Sequence, residues 1–388
     1  MTEQFYVGYF DDLHPDPSVN FELNRWINYL GDSALEDFRP ILPRLKDFQS
    51  YQQEFYALAE KALAEGRKIN AAFYFRSAEF YMKESDPDKK PTRQKFLDLV
   101  REHYGIKNSQ YFSIPYDDGT QKGMLPAYRL TPTKPKGTIV MFGGADSYIE
   151  EFLPINLVLK DAGYDVVCFE GPGQGGALID SKLRLTKDWH KPVKTVLDYF
   201  KLNNVTLWGI SLGGMLVLRA AAFESRVSQV VCDDISFSSF DAFLSKQKPT
   251  GRSITRFLMN IKASGLINAA MKKAMRESMT MDWAISQFSY IIGAKSPYDL
   301  IDKVRSLQTG DISHLITQDV LLMAGTEDTM VPLDQFYRQI EALKNVRSLT
   351  ARMFTRAEHA QNHCQIGNLN LQLDFVINWL DNTKTSIG

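Results

Sequence analysis

The sequence predicts an α/β fold: a mainly parallel, twisted sheet flanked by helices, with a helical lid insertion and an all-helical amino-terminal region. Three observations carry this expectation. From residue 138 onward, short apolar runs alternate with stretches of helical periodicity, the pattern of parallel strands joined by crossover helices. Before about Tyr104 the periodicity is helical alone. Between Asp234 and Val320 lie roughly 85 residues, too many for an ordinary connection, so they are expected to build structure of their own. The expected division is a helical domain over 1–108 and an α/β domain over 109–388, with the lid at about 236–315.

In the first part, 48–64 and 70–82 carry aromatic and aliphatic residues at three- and four-residue spacings, and 67–81 resembles a buried helix. Pro87 and Pro91 are expected to break the pattern before a helix at 92–103. Segments 110–116 and 123–130 are expected to pair as strands around the turn Asp117-Asp118-Gly119. The alternating series then runs strand 138–142, helix 151–162, strand 165–169, helix 188–199, strand 205–208, helix 215–223 and strand 227–232. It resumes with strand 320–324, helix 333–343, strand 349–354 and a closing helix near 368–380. Within the insertion, helices are expected at 256–267 and 269–281, and the aromatics there either pack the lid or line an apolar pocket.

Composition excludes several classes of function. The net charge of −1 and the absence of a Lys/Arg block leave no electrostatic case for nucleic acid. No apolar run reaches the length of a membrane span, and the segment MTEQFYVGYF lacks the basic-then-apolar order of a secretory leader. Cys168, Cys232 and Cys364 have no metal-ligand spacing, so neither a metal nor an organic cofactor is expected, and a reducing cytoplasm is the expected location.

The strongest motif is Gly209-Ile210-Ser211-Leu212-Gly213, set between an apolar strand and an Ala/Leu-rich helix. That context gives a sharp strand-to-helix turn with the Ser211 hydroxyl exposed and small residues on either side. A serine needs a base, and the base needs an orienting acid. In folds of this kind the acid and histidine follow the serine, in that order. The acid candidate is Asp328 in LLMAGTEDTMVP, just past the strand, with Glu327 adjacent. His363 precedes the closing helix directly and is preferred as base over His359, while His190 comes before the serine. Two amides are needed for a developing oxyanion: that of Leu212, and one from Gly143-Gly144-Ala145, Ala145 first and Gly144 next. Asp146, Glu150 and Glu151 are unusual neighbours for an oxyanion. They either cap the following helix or, for Asp146 and Glu150, assist proton movement.

These residues resemble the α/β-hydrolase superfamily, and within it the branch with an amino-terminal helical domain typified by dihydroxypseudo-oxynicotine hydrolase and FrsA-like proteins. The pieces that carry the resemblance are GGADSYIEE, FEGPGQGG, WGISLGG with RAAAFE, and AEHAQNHCQIGN. His363 followed by Cys364-Gln365 matches the branch's catalytic histidine. The chain departs from many relatives at Phe169-Glu170-Gly171, where aspartate is usual, and at Ala145, where a bulkier residue is common. The resemblance implies a lidded homodimeric hydrolase whose helical domain closes over a Ser-His-Asp triad, acting on a small molecule or short peptide. Acyl-enzyme chemistry on an ester or amide carbonyl is the expected activity. Carbon–carbon hydrolysis of a ketone, acylaminoacyl or dipeptidyl peptidase activity, and a catalytically silent binding role are the alternatives.

Overall fold

The structure, a computed structural model, describes residues 4–385. Eight strands form one sheet in the order β1-β2-β4-β3-β5-β6-β7-β8. They are β1 (Tyr111–Asp117), β2 (Lys122–Leu130), β3 (Thr138–Phe142), β4 (Asp165–Phe169), β5 (Val205–Ile210), β6 (Val227–Asp233), β7 (Asp319–Gly325) and β8 (Ser348–Phe354). The hairpin β1–β2 is antiparallel and joins β4 antiparallel; from β4 to β8 every pairing is parallel. Strands β4, β5 and β7 are buried along their whole length, as expected of parallel strands covered on both faces.

Alternate residues of these strands divide between two cores. Ile139, Met141, Trp208, Leu321 and Met323 face one cluster, while Val140, Phe142, Leu207, Val320 and Leu322 face the other. The second face is covered by α8 (His190–Phe200), α9 (Leu212–Ala221) and α15 (Asp334–Ala342). The first is covered by α6 (Leu153–Asp161) and α16 (Leu369–Thr385), and beyond them by the amino-terminal helices. Those are α1 (Pro17–Leu30), α2 (Asp32–Phe38), α3 (Phe48–Ala64), α4 (Lys68–Phe80) and α5 (Lys89–His103). Their apolar side chains belong to the same continuous cluster as the sheet face. A short helix, α7 (Gly175–Ile179), follows β4.

The insertion after β6 holds α10 (Ser239–Ser245), α11 (Pro249–Asn260), α12 (Ser264–Glu277), α13 (Met279–Ile292) and α14 (Pro297–Val304) around a core of their own. The expected helices at 256–267 and 269–281 are corrected here. The chain breaks between α11 and α12, where Lys262 adopts φ 55°. It breaks again at Ser278, whose hydroxyl accepts the Met281 amide and so caps α13. Pro91 does not break a helix; it lies in the first turn of α5, where its missing N–H costs nothing. Helices α1 and α2 were not singled out from the sequence, although Asp16 before Pro17 is a cap signal and accepts the amides of Ser18 and Val19. The helix expected at 151–162 is preceded by a 3-10 turn, Ile149–Phe152, so α6 starts only at Leu153.

Buried ions fix the amino-terminal helices to the sheet. Glu151 accepts from Arg25 of α1 and from Arg76 of α4, and Arg76 also meets Glu79 at 2.7 Å. Removing one partner of a buried pair strands the others without compensation. Arg76→Met is therefore expected to lower the unfolding free energy by about 3–5 kcal/mol in urea denaturation.

Candidate active site

The turn after β5 is built by close backbone approach. Ser211 has φ 59° and ψ −122°, a conformation unfavourable for a non-glycine residue. A Cβ on Gly209 would lie 2.0 Å from the Gly213 carbonyl oxygen, so only glycine fits there. One on Gly144 would lie 2.9 Å from the Ser211 Cβ, which puts the loop after β3 directly against the serine. The Ser211 amide donates to the Asp233 carbonyl at the end of β6, holding the turn to the neighbouring strand.

Side chains from three strand ends meet at this point. His363 Nε2 is 2.8 Å from Ser211 Oγ, and His363 Nδ1 is 2.6 Å from Asp328 Oδ2. The other oxygen of Asp328 accepts the amides of Met330 and Val331, at 2.6 and 2.9 Å, which fixes the carboxylate. Glu327 turns away to Arg356, and His359 is exposed with φ 58°. His190 begins α8 and packs on Phe223.

One group at the site escaped the sequence analysis. Asp234, just past β6, has Oδ2 at 3.3 Å from His363 Nδ1. Its two oxygens accept the Cys364 amide and the Gln365 side-chain amide, each at 2.8 Å. The pair Asp233-Asp234 at the carboxyl end of a parallel strand was the available signal, because ligands gather at that edge. Burial works against a charged imidazole at His363, but the Asp328 charge, Cys364 and the hydrogen bonds that Asp234 and Asp328 accept outweigh it and raise its pKa well above the ordinary value. Burial pushes Asp234 up to about 6, with the Asp328 charge adding to it. Burial also opposes ionisation of Asp328, yet His363 and the hydrogen bonds hold its pKa below the ordinary range.

Donor atoms of Asp234, His363 and Cys364 lie within 4.8 Å of one another. The Asp234 oxygens and His363 Nδ1 are already committed to hydrogen bonds, and burial pushes the Cys364 thiol up to about 12, so this set is a poor metal donor group.

Of the two amides expected to face an oxyanion, neither that of Leu212 nor that of Ala145 donates to another described residue. The Gly144 amide instead meets Ser147 Oγ at 3.2 Å. Ala145 and Leu212 both pack against the lid core. Glu151 closes the 3-10 turn by accepting the Tyr148 amide, the capping role considered for these acids. Glu150 is buried and accepts from Arg101 and the Tyr128 hydroxyl. Asp146 is half-buried, and its carboxylate accepts no hydrogen bond from a described residue.

Two helical elements border the site. Phe21 of α1 lies 6.2 Å, ring to ring, from His363. On the other side, Met279, Trp283, Gln287 and Tyr290 follow one face of α13 past two cavities. The outer one, about 560 Å³, is bounded by Phe48, Tyr81, Lys83 and Trp283; the inner one, about 20 Å³, is bounded by Lys89, Ala145, Asp146 and Tyr290. Among the described residues no helix is long and apolar enough to cross a membrane.

Comparison with known proteins agrees with this architecture. A family model described as the alpha/beta hydrolase fold matches residues 141–361. The hydrolase LUC6 of a Fusarium species is 26% identical, the match covering 96% of this chain and 97% of that protein. The alpha/beta hydrolase psoB of Aspergillus fumigatus is 25% identical over 84% of this chain and 81% of its own. Among solved structures, 2,6-dihydroxy-pseudo-oxynicotine hydrolase superposes with a TM-score of 0.59 at 20% identity, covering 86% of each chain. AbyA5 superposes with a TM-score of 0.64 at 17% identity, covering 89% of this chain and 88% of its own. The chain belongs to the α/β-hydrolase family and is a hydrolase.

The two carboxylates at His363 Nδ1 both favour the imidazolium, and a neutral imidazole is what can accept a proton from Ser211. Asp234→Asn removes the carboxylate acceptor whose hydrogen bond raises the His363 pKa, and so lowers the pH at which His363 loses its proton. The acid limb of Ser211 labelling by a fluorophosphonate probe is expected to move to lower pH in that variant.

Proposed function

We propose that this member of the α/β-hydrolase family is a serine hydrolase acting on an ester or amide-type carbonyl of a small molecule through an acyl-enzyme. Ser211 Oγ attacks the carbonyl carbon while His363 Nε2 takes its proton. Asp328 keeps the proton on Nδ1, which fixes the tautomer, and stabilises the imidazolium once it forms. The amides of Leu212 and Ala145 donate to the oxyanion. Collapse of the tetrahedral intermediate expels the leaving group, which takes the proton from His363. Water then enters with His363 as base, a second oxyanion forms, and the acid product leaves Ser211 free.

What supports this reading is the unbroken line of hydrogen bonds from Asp328 through His363 to Ser211. Two uncommitted amides beside the serine add to it. Residues 1–108 act as a fixed cover and 236–315 as a lid. The outer cavity, within the usual range of about 300–1,000 Å³ for small-molecule sites, borders the same helix α13 as the small cavity beside Ala145.

Ser211→Ala is expected to reduce turnover of p-nitrophenyl esters by about 10⁴-fold or more. Circular dichroism and Tm should stay at the parent values, and fluorophosphonate labelling should vanish. Turnover that survives in this variant would move the chemistry to another group.

A further inference from the structure

A cluster of charges lies behind the loop that carries the Ala145 amide, and the mechanism above makes no use of it. Helices α1 and α4, the start of α5 and the loop 143–152 enclose it. Its cations are Arg25, Arg76 and Lys89; its carboxylates are Glu22, Glu79, Glu151 and Asp146. Arg76, Lys89, Glu22, Glu79 and Glu151 are buried, and Arg25 and Asp146 are half-buried.

The hydrogen bonds are unevenly shared. Glu151 takes both arginines and the Tyr148 amide. Glu79 takes Arg76, Lys89 and the Tyr148 hydroxyl. Glu22 has only Arg25, at 3.3 Å, and the Asp146 carboxylate has no hydrogen-bonding partner among the described residues. The cluster thus holds one more acid than it has cations. An uncompensated buried charge is costly, and a surplus carboxyl relieves it by keeping a proton.

Resting on the reading that Ala145 donates to the oxyanion, we propose that Glu22 holds this proton and so keeps the charge cluster behind that amide neutral while negative charge develops on the substrate. Glu22 is a positioning residue: it acts through Arg25 and Asp146. With Glu22 neutral, Arg25 and Arg76 offset the Asp146 charge one residue from the oxyanion donor. Once Glu22 ionises, it draws on Arg25, and the excess negative charge opposes the transition state in a site of low dielectric.

The groups facing Glu22 come from every element packed on it: Arg25 from its own helix, Asp146 and Glu151 from the loop, Arg76 from α4, and the phenols of Tyr51 and Tyr81. Burial pushes Glu22 up to about 7, with Arg25 opposing and Asp146 adding. Burial raises Asp146 as well, against Arg25 and Arg76. Beyond the Tyr148 ring, Arg93 pairs with Asp180 at 3.2 Å and Arg101 with Glu150 at 2.8 Å.

The test compares kcat/KM for p-nitrophenyl butyrate from pH 5.5 to 8.5 in the parent, Glu22→Gln and Asp146→Asn, each checked for fold by circular dichroism. Either substitution equalises acids and cations. The ratio of parent to variant rate is expected to fall up to about tenfold between pH 6 and pH 8 for both, following the protonated fraction of a group titrating near 7. Parallel profiles in all three proteins overturn the proposal. Carboxyl carbon NMR of Ser211→Ala gives a second readout that needs no turnover: a Glu22 midpoint near 7 is expected, and one at the ordinary glutamate value overturns the proposal. Fluorophosphonate labelling of the parent at pH 8.5, above the acid limb, separates the two levels, since loss of labelling there removes the serine mechanism itself while a flat pH ratio with labelling intact removes only the role of Glu22.

Discussion

The carboxylate of Glu151 is the constraint on which the site rests. It accepts from Arg25, Arg76 and the Tyr148 amide, so one buried group joins α1, α4 and the loop after β3. That loop has to pass within van der Waals reach of Ser211, and Gly143 and Gly144 allow the approach because no side chain stands in the way. Glycine permits a position without holding it. The stiffness comes from outside the sheet: Arg76 reaches past Glu151 to the Asp146 carbonyl as well. The amino-terminal helices are therefore part of the active-site scaffold, and their apolar side chains share one core with the sheet face beneath them.

A second constraint operates at His363. Two carboxylates stand at Nδ1, and their surroundings push their affinities for a proton apart. Asp328 receives two backbone amides at the oxygen not facing the ring, so its charge is supported. Asp234 is enclosed more completely and is raised by burial and by the charge of Asp328. Asp328 is thus the carboxylate that stays ionised, and Asp234 ties the ring to the turn carrying Cys364 and Gln365. Gln372 of α16 continues the chain of contacts to Gln365 and to Asp233, which holds the closing helix in register with the end of β6.

The α/β part was legible because its signal is local. Strands buried on both faces read as short apolar runs, and 138–142 and 165–169 coincide with β3 and β4 residue for residue. Ser211, Asp328 and His363 could be singled out as candidates because chain order leaves few others, and the structure brings those three side chains into contact. The lid insertion itself was legible from the length of the connection, but its helix boundaries were not, since the break at Lys262 uses neither glycine nor proline. Asp234 escaped because its partners, Cys364 and Gln365, lie about 130 residues further along the chain and nothing local ties a carboxylate at the end of β6 to them. The partners of Glu151 could not be read at all: Arg25 and Arg76 lie far away along the chain, and nothing local marks an arginine as buried.

The two helical elements bordering the site are held by contacts of different strength, and this decides which can move. In the proposed mechanism a substrate carbonyl has to reach Ala145, and the cavity there measures only about 20 Å³, so on that reading one cover gives way on binding. Releasing the amino-terminal helices would separate Arg76 from Glu151 and Glu79, all buried, and expose their charges unpaired. The lid touches the same helices through Lys83 and Asp282, both substantially exposed, and through a hydrogen bond from Thr280 to Asp16. An exposed ion pair of this kind contributes about 0–1 kcal/mol. Phe48, Phe80, Tyr81 and Trp283 add an aromatic seam, but its rings can slide past one another without leaving a charge behind. Helix α13, which borders both cavities, is the cheaper element to displace, and the loop carrying Ala145 stays clamped.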